Sequence, residues 1–426
     1  MGTFLGFFLF FLITGVPIAL ALGVGAIIYL FITGNGELVL AFPQKMLGGV
    51  DNFVLLTIPL FLLAGTLMNV GGITERIIVF ARAMVGHRRG GMSSVTVLSS
   101  MFFAGISGSA TAESSALGTI LIPTMARQGM PASFAAALVG VSAIMGPIIP
   151  PSITMIVYGV LSGASIGQLF LAGVVPGILI AGSFLVYVSW RAKRSGFPVT
   201  DKASWSERRQ SIVRTTPALM LPLIIIIGIK GGIFTATESA AVAVLYALII
   251  GIIYRELTRK RLWQALTATA IVTSALMFIV SMASIVSFVF ALEGVPAAVA
   301  KTVLSISDNP YVILLMLNLV LLLLGMFLEP ITILILTMPI LLQMAKILQM
   351  DLVQFGMMAI LNVVIGLATP PVGVCLFIVC AISGKSLIEV SKEALPLLAI
   401  AILVLALVAL VPAVSLTLPH AFGSAQ

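Results

Sequence analysis

The sequence is poor in charge. Only 8% of its 426 residues are Asp, Glu, Lys or Arg, whereas 60% are hydrophobic and the mean hydropathy is +1.24. A soluble fold of this length has too small an interior to hide so much apolar surface, so the composition excludes a soluble globular protein. The net charge of +8 does not indicate a nucleic-acid-binding face, because the Lys and Arg residues lie in short loops between apolar segments. The composition predicts a polytopic helical membrane protein.

Residues that perform catalysis or bind transition metals are also scarce. The two cysteines, Cys375 and Cys380, have a spacing that fits neither a metal site nor a redox motif, and they predict no disulfide framework. The two histidines, His87 and His420, lie in a basic loop and in the tail, so no histidine pair or triad is visible. No G-x-x-x-x-G-K-[ST] phosphate-binding loop occurs. The sequence predicts no ATP-driven motor, and a membrane-embedded enzyme acting on a lipid-linked substrate is the alternative from a different class.

Apolar segments fill most of the chain and predict its spans. Single spans are predicted at 3–14, 17–33, 51–70, 133–161, 168–190, 216–229, 235–254, 263–292, 353–383 and 395–415. Two longer stretches, 93–126 and 311–345, are interrupted at "GISGSAT" (105–111) and "GMFLEPIT" (325–332). Non-helical backbone at membrane depth persists only where protein or a cavity surrounds it. We therefore expect two re-entrant helical hairpins.

The two halves match each other at an offset of 220 residues. The matched pairs are Gly105 and Gly325, Gly146 and Gly366, Pro150-Pro151 and Pro370-Pro371, and Pro176 and Pro396. Each half holds five full crossings, an odd number, so the second repeat is expected to be inverted relative to the first. Inverted repeats with broken helices are typical of secondary transporters. The segments 73–86 and 295–306, which precede the hairpins, are either interfacial arm helices or ordinary connections.

Loop charge predicts the orientation and the domain organisation. With both hairpins re-entrant, all but four of the 22 Lys and Arg residues fall on one side, the exceptions being Lys45, Lys230, Lys301 and Lys346. The positive-inside rule then makes 191–215 a cytoplasmic linker and places both termini on the outer face, which is the periplasmic face in a bacterial inner membrane. The first repeat is predicted at 1–190, with scaffold spans 1–70, arm helix 71–92, hairpin 93–126, broken helix 133–161 and closing helix 168–190. The second is predicted at 216–426, with hairpin 311–345, broken helix 353–383 and closing helix 395–415.

Proline-rich breaks interrupt one apolar segment in each half, at "GPIIPP" (146–151) and "GLATPP" (366–371). Each proline removes a backbone donor, and unwound carbonyls in a membrane need a partner. A single break is better explained by a kink or by tight helix packing than by a binding role. Its repetition after a polar hairpin tip favours binding of a cation by carbonyls or of an anion by helix amino ends. Three carboxylates in apolar segments, Glu113, Glu238 and Glu329, are further candidates, with a helix cap as the alternative for Glu238.

Four motifs in this order, "GISGSATAESSALG", "MGPIIPPS", "FTATESAA" and "GLATPPVG", resemble the large membrane subunit of tripartite ATP-independent periplasmic (TRAP) transporters, over essentially the whole chain. The resemblance implies an elevator-type, ion-transporter-like architecture, driven by a sodium gradient, in the bacterial inner membrane. It also implies two partners, a small four-helix membrane subunit and a periplasmic substrate-binding protein. The small subunit is expected to be a separate chain, because this chain begins directly with its own first repeat. The sialic-acid branch looks closest, with a C4-dicarboxylate as the other substrate class.

The resemblance further implies that Na+ binds at the hairpin tips and helix breaks. The matching positions are Ser107, Ser109, Gly146, Ile149, Ser152, Gly325, Gly366, Thr369 and Val372, of which Ile149 and Val372 offer only carbonyls. The candidates for substrate binding are Thr111, Ser115, Glu329 and Thr332. The main alternative is a self-sufficient sodium–dicarboxylate carrier of similar hairpin architecture, which would need neither partner.

Overall fold

The protein is described by a computed structural model over residues 2–197 and 202–422. Within these residues the chain forms helices and no strand, which confirms the predicted all-α class. The α-helices are α1 (Gly2–Ile13), α2 (Ile18–Ile32), α3 (Phe42–Val50), α4 (Thr57–Val70), α5 (Ile73–Val85), α6 (Gly91–Ser107), α7 (Ala110–Arg127), α8 (Ala132–Ser142), α9 (Ile153–Ser162), α10 (Ile166–Ser195), α11 (Trp205–Lys230), α12 (Ala236–Ile253), α13 (Arg259–Leu292), α14 (Val295–Ile306), α15 (Pro310–Phe327), α16 (Pro330–Ile347), α17 (Leu352–Gly366), α18 (Val374–Ser383), α19 (Leu387–Leu410) and α20 (Pro412–Phe422).

Eight helical segments of the described residues are long and apolar enough to cross a membrane. They are Phe53–Val70, Ile166–Ser195, Trp205–Lys230, Ala236–Ile253, Arg259–Leu292, Pro310–Phe327, Pro330–Ile347 and Leu387–Leu410. The longest, α13, has 34 residues. At 1.5 Å per residue it reaches roughly 51 Å, beyond the ~30 Å hydrocarbon core of a bilayer. The polytopic membrane class predicted from composition is thus confirmed.

The same succession of helix types occurs twice along the chain. A short amphipathic helix (α5 or α14) is followed by two hairpin helices (α6 and α7, or α15 and α16), two half-helices and one long closing helix. In the first run, α8 continues through a short 3-10 turn to Met145, and α9 starts at Ile153. In the second run, α17 ends at Gly366 and α18 starts at Val374. The Pro150-Pro151 and Pro370-Pro371 peptide bonds inside these two breaks are both cis.

Some element bounds differ from those expected from the sequence. The predicted linker 191–215 is mostly helical, because α10 continues to Ser195 and α11 begins at Trp205. An ion pair of 2.6 Å between Arg191 and Glu393 stabilises the end of α10, and a capping box between Ser204 and Glu207 starts α11. The closing segment predicted at 395–415 is two helices, α19 and α20, and α3 was not predicted at all.

The hairpins and broken helices pack into one body. Here α7 lies against α8 and α18, α15 against α17, and α16 against α9. The Tyr158 hydroxyl of α9 donates to the Leu352 carbonyl at 2.9 Å and so connects the broken helices of the two runs. The Asn362 amide of α17 donates to the Asn318 side chain of α15 at 2.6 Å. Polar contacts of this kind hold the hairpins and the broken helices together in one body.

The closing helices α10 and α19 pack on this body. Helices α1–α4 and α11–α13 form a scaffold beside it. Within it α4 packs on α12, and α13 packs on α2, α3 and α4. The hydroxyls of Thr57 and Thr237 are 2.9 Å apart where α4 and α12 begin. The short helices α5 and α14 connect the two groups, since α5 contacts both α6 and α11, and α14 contacts both α13 and α16. The two breaks therefore lie in the body, with the scaffold on one side.

Candidate cation and substrate site

The first hairpin turns at Gly108, whose φ of +60° ends α6. Ser109 then begins α7, and its hydroxyl accepts a hydrogen bond from the Ala112 amide at 3.4 Å. A Cβ atom added at Gly108 would lie 3.0 Å from the carbonyl oxygen of Pro151. The first tip is thus seated directly on the first break, and glycine satisfies both the turn and the close approach.

The first break, residues 146–152, contains carbonyl oxygens without donors. The Ser152 hydroxyl donates to the Pro147 carbonyl at 2.6 Å and accepts from the Met155 amide at 3.3 Å, so it braces the break and caps α9. Among the described residues no donor reaches the carbonyls of Gly146, Ile148, Ile149, Pro150 and Pro151. Backbone oxygens left open at this depth are available to a cation.

The second tip is seated on the second break in the same way. A Cβ atom added at Gly366 would lie 2.5 Å from both the Cα and the carbonyl carbon of Gly325. One added at Gly325 would lie 2.7 Å from the Val363 carbonyl oxygen. On the other side of the break, the Gly373 amide donates to the Met326 carbonyl at 3.1 Å. Sequence reasoning gave no role to Gly373, although it follows the two prolines within "GLATPPVG" and has a φ of +58°.

The second break, residues 367–373, also leaves carbonyls open. The Thr369 hydroxyl donates to the Ile365 carbonyl at 2.7 Å, so its own oxygen lone pairs remain available. Among the described residues no donor reaches the carbonyls of Ala368, Thr369, Pro370, Pro371 and Val372. Both breaks thus expose the same kind of oxygen ligand.

The nine residues predicted to bind sodium fall into two groups, one at each break. The first group is Ser107, Ser109, Gly146, Ile149 and Ser152, and the second is Gly325, Gly366, Thr369 and Val372. In the first group Ser109 lies against Gly146, and in the second Gly325 lies against Gly366. Among the described residues no group of three or more His, Cys, Asp or Glu side chains is arranged to hold a metal ion. The oxygens that the structure offers are of the type that hard cations take.

A small cavity of about 60 Å³ lies where the two tips meet the scaffold. Its polar lining includes Ser109 and Thr111 of the first tip and Glu329 of the second. Its scaffold side is apolar and consists of Leu62, Val272 and Leu276. Sequence reasoning missed these three residues, because nothing in an ordinary apolar run marks a position that faces a hairpin tip.

Two of the four predicted substrate residues line this cavity and two do not. Thr111 and Glu329 face it. Ser115 is exposed one turn further along α7, outside the lining. Thr332 is completely buried, and its hydroxyl has no hydrogen-bond partner among the described residues.

A larger polar cavity of about 770 Å³ lies between α7 and the scaffold. Its lining includes Thr119 of α7 and the charged side chains of Glu75, Arg76, Arg214, Glu256 and Arg261. Arg261 forms an ion pair with Glu256, and the Arg76 guanidinium lies 3.7 Å from the ring centroid of Tyr254. In the sequence, these arginines indicate only the orientation of the chain in the membrane.

The intramembrane carboxylates have different surroundings. Glu238 accepts a hydrogen bond from the Thr235 amide at 2.7 Å and completes a capping box at the start of α12, which agrees with the alternative of a helix cap. Glu113 is completely buried, and neither of its oxygens has a hydrogen-bond partner among the described residues. Glu329 is exposed to the small cavity.

This arrangement of two tips and two breaks lies within a stretch that matches one protein family. The family model for "Tripartite ATP-independent periplasmic transporter, DctM component" matches residues 5–414. The chain belongs to this family. It is 41% identical over 412 residues to the sialic acid TRAP transporter large permease protein SiaM of Vibrio cholerae, covering 96% of each chain. It is 36% identical over 434 residues to the C4-dicarboxylate TRAP transporter large permease protein DctM of Rhodobacter capsulatus, covering 98% of each.

Family membership makes this chain a multi-pass transporter permease and not an enzyme. The fold also resembles a solved structure, that of the YdaH transporter of Alcanivorax borkumensis. That likeness has a TM-score of 0.61 over 88% of each chain at 14% sequence identity. Similarity at this low identity shows a shared fold alone, and it supports the all-helical architecture.

Proposed function

We propose that this TRAP large permease takes up an organic acid across the bacterial inner membrane, coupled to sodium, by an elevator motion. The observation that carries the proposal is the seating of each hairpin tip on its own helix break. Gly108 lies against Pro151 in the first repeat, and Gly325 lies against Gly366 in the second. Both contacts leave break carbonyls without donors. Two oxygen-rich sites of the same construction support coupling to a hard monovalent cation.

The sodium sites would also order the substrate site. Ser109 and Thr111 lie at the amino end of α7, with their hydroxyl oxygens 3.1 Å apart, and both line the small cavity. A helix amino end attracts an anion, so it suits a substrate carboxylate. Because the same tip closes over the first break, occupation of the break by sodium would fix the position of these groups. Binding of sodium and of acid would then be coupled.

The second tip favours a hydroxylated acid over a dicarboxylate. Glu329 faces the same cavity as Ser109 and Thr111. A carboxylate accepts hydrogen bonds from substrate hydroxyls but repels a second substrate carboxylate. This favours sialic acid, which agrees with the name of the relative at 41% identity, and leaves a C4-dicarboxylate, named for the relative at 36%, as the other class.

The cavity volumes support movement of the body. A cavity of about 60 Å³ is far smaller than the ~300–1,000 Å³ of a typical small-molecule pocket, so a sugar acid would need another position of the body to enter or leave. The scaffold presents an apolar face to the tips at Leu62, Val272 and Leu276, along which the body can slide. The larger polar cavity beside α7, with Arg76 and Arg214 in its lining, offers an anion a route to the side predicted as cytoplasmic.

The proposed partners are a small four-helix membrane subunit and a periplasmic substrate-binding protein. Their support is the family description, which names a tripartite and periplasmic system of which this chain is one component. The binding protein would deliver the acid to the tips, and the small subunit would hold the scaffold in the membrane.

Reconstitution tests the proposal directly. The full chain, its small membrane subunit and candidate binding proteins are combined in proteoliposomes, and uptake of labelled sialic acid or a C4-dicarboxylate is followed under an inward sodium or potassium gradient. We expect uptake only with sodium and only with all components. Equal uptake with potassium would contradict sodium coupling. Sodium-driven uptake by this chain alone would establish the self-sufficient carrier instead.

A further inference from the structure

We propose that Glu113 is the anionic ligand of a monovalent cation held at the first break, which makes the two proposed sodium sites chemically different. The inference rests on the proposed sodium coupling and adds to it. It assigns a side chain on α7 to a site otherwise built from backbone oxygens and hydroxyls. Four observations carry it: the burial of the carboxylate, its missing partner, its position and its absence from the second repeat.

Glu113 is buried, and no charged partner accompanies it among the described residues. Its side chain has 0% exposure, and neither carboxylate oxygen has a hydrogen-bond partner among the described residues. No ion pair to it occurs in the part of the chain that the structure describes. An isolated buried carboxylate is strongly unfavourable, so the group must either lose its charge or be paired with a cation.

The carboxylate lies directly against the first break. A Cβ atom added at Gly146 would lie 2.9 Å from Oε2 of Glu113, and also 3.3 Å from the Ala110 amide nitrogen. The open carbonyls of Gly146 and Ile149 belong to the same short segment. The Ser100 side chain of α6 also faces Glu113, and its hydroxyl has no hydrogen-bond partner among the described residues. Carboxylate, carbonyl and hydroxyl oxygens together are a ligand set for a hard cation.

Other groups near Glu113 do not neutralise it. The Cys375 thiol at the start of α18 lies close enough to interact with its charge, and the Ser114 side chain faces that thiol. Both residues are completely buried. Thiol and hydroxyl groups carry no positive charge, so a cation remains the partner that matches a charged Glu113.

The second repeat shows that the architecture does not require this carboxylate. At the offset of 220 residues that relates Gly146 to Gly366, the position of Glu113 is taken by Ile333, which is also completely buried. The carboxylate of the second tip, Glu329, is exposed to the small cavity instead. A fully buried carboxyl group is therefore specific to the first break, and the backbone that the two breaks share does not require it.

The opposing interpretation is that Glu113 is a neutral carboxylic acid that only fills space. Glu113→Gln distinguishes a neutral Glu113 from a charged, cation-binding Glu113. Glutamine keeps the shape and polarity of the neutral acid but cannot carry the negative charge of the carboxylate. Glu238→Gln is the matched control, since that carboxylate caps α12 away from both breaks. The readout is the sodium-dependent rise in melting temperature of the purified full chain with its small subunit, titrated with sodium against choline at constant ionic strength.

We expect Glu113→Gln to raise the half-saturating sodium concentration about tenfold or more, as loss of a metal-site group typically does. The Glu238→Gln control should titrate like the wild type. A Glu113→Gln variant that is as stable as the wild type and has the same sodium titration would overturn the inference and leave a packing role. Absence of any sodium response in the wild type would overturn the sodium proposal together with it.

A second variant covers the case in which Glu113→Gln does not fold. Ser100→Ala removes only the hydroxyl that faces the carboxylate and leaves a small side chain of similar shape. We expect it to raise the half-saturating sodium concentration several-fold, with the melting temperature in choline close to that of the wild type. An unchanged sodium titration of Ser100→Ala, where Glu113→Gln cannot be purified, would overturn the inference.

Discussion

The contact between Gly325 and Gly366 gives the sharpest test of the second site. In Gly366→Ala the added Cβ would lie 2.5 Å from two backbone atoms of Gly325. Carbon atoms pack best at roughly 3.5–4.0 Å, so the tip and the break must separate by about 1 Å. Neither neighbour is the mobile end of a side chain, and the strain therefore falls on the helices α15 and α17 themselves.

The magnitude follows from overpacking. Inserting a methyl group into a close-packed contact typically costs about 1–3 kcal/mol. If sodium binding requires the closed contact, this energy opposes the sodium-bound state. At about 1.4 kcal/mol per factor of ten, the half-saturating sodium concentration should rise roughly fivefold to a hundredfold.

Gly182→Ala is the matched control, because an added Cβ there meets no atom within 4 Å. It lies inside α10, where alanine is the better helix former and should be neutral or slightly stabilising. The assay is sodium-dependent uptake in proteoliposomes with all partners, together with the sodium-dependent melting temperature. A Gly366→Ala protein with the sodium requirement of the control would refute the reasoning, because the tip and the break would then not need to close.

Three further predictions concern single elements. Thr369→Val removes a hydroxyl oxygen from the second break, and the loss of one buried polar partner typically costs about 1–3 kcal/mol. The sodium concentration required in uptake assays should therefore rise by roughly tenfold. An unchanged requirement would mean that the hydroxyl only donates its hydrogen bond to the Ile365 carbonyl. Ser109→Ala should weaken sodium binding at the first tip to a similar extent and also lose the α7 cap, which a melting curve in choline detects separately. Ser204→Cys, with Cys375 and Cys380 replaced, should react with an impermeant maleimide only from the cytoplasmic side. Labelling only from the outside would reverse the predicted topology. The complementary probe site, Ser424, lies outside the described residues.

The breaks and tips were predictable because glycine and proline change the backbone conformation at their own positions in the chain. Proline removes a donor at its own position, so "GPIIPP" and "GLATPP" mark the breaks directly. The turn of the first hairpin follows in the same way from Gly108, which takes a positive φ. The element order of the fold could thus be read from local chemistry and from the offset between the halves.

The direction in which an individual side chain points could not be predicted from local sequence. Thr332 and Glu329 are three residues apart at the second tip, yet one is completely buried and the other faces the cavity. Which face of a hairpin helix turns inward depends on its packing against α9 and α13, and no local pattern encodes it. The helical continuation of α10 into the predicted linker has a similar cause, since its stabilising partner, Glu393, is about 200 residues away in the sequence.

The two breaks share a backbone but differ in their side chains, and this difference decides what each can do. Open carbonyls, seated tips and paired prolines occur in both. The first tip has a hydroxyl, Ser109, where the second has the carboxylate of Glu329, and the buried Glu113 of the first repeat corresponds to the apolar Ile333. A duplicated backbone supplies two places for a cation, whereas charge balance and access to the substrate cavity come from side chains that diverged between the repeats. A backbone change such as Gly366→Ala should therefore weaken cation binding at the break where it is made, and the same kind of change is possible at either break. Removal of the charge at Glu113 should affect the first site alone.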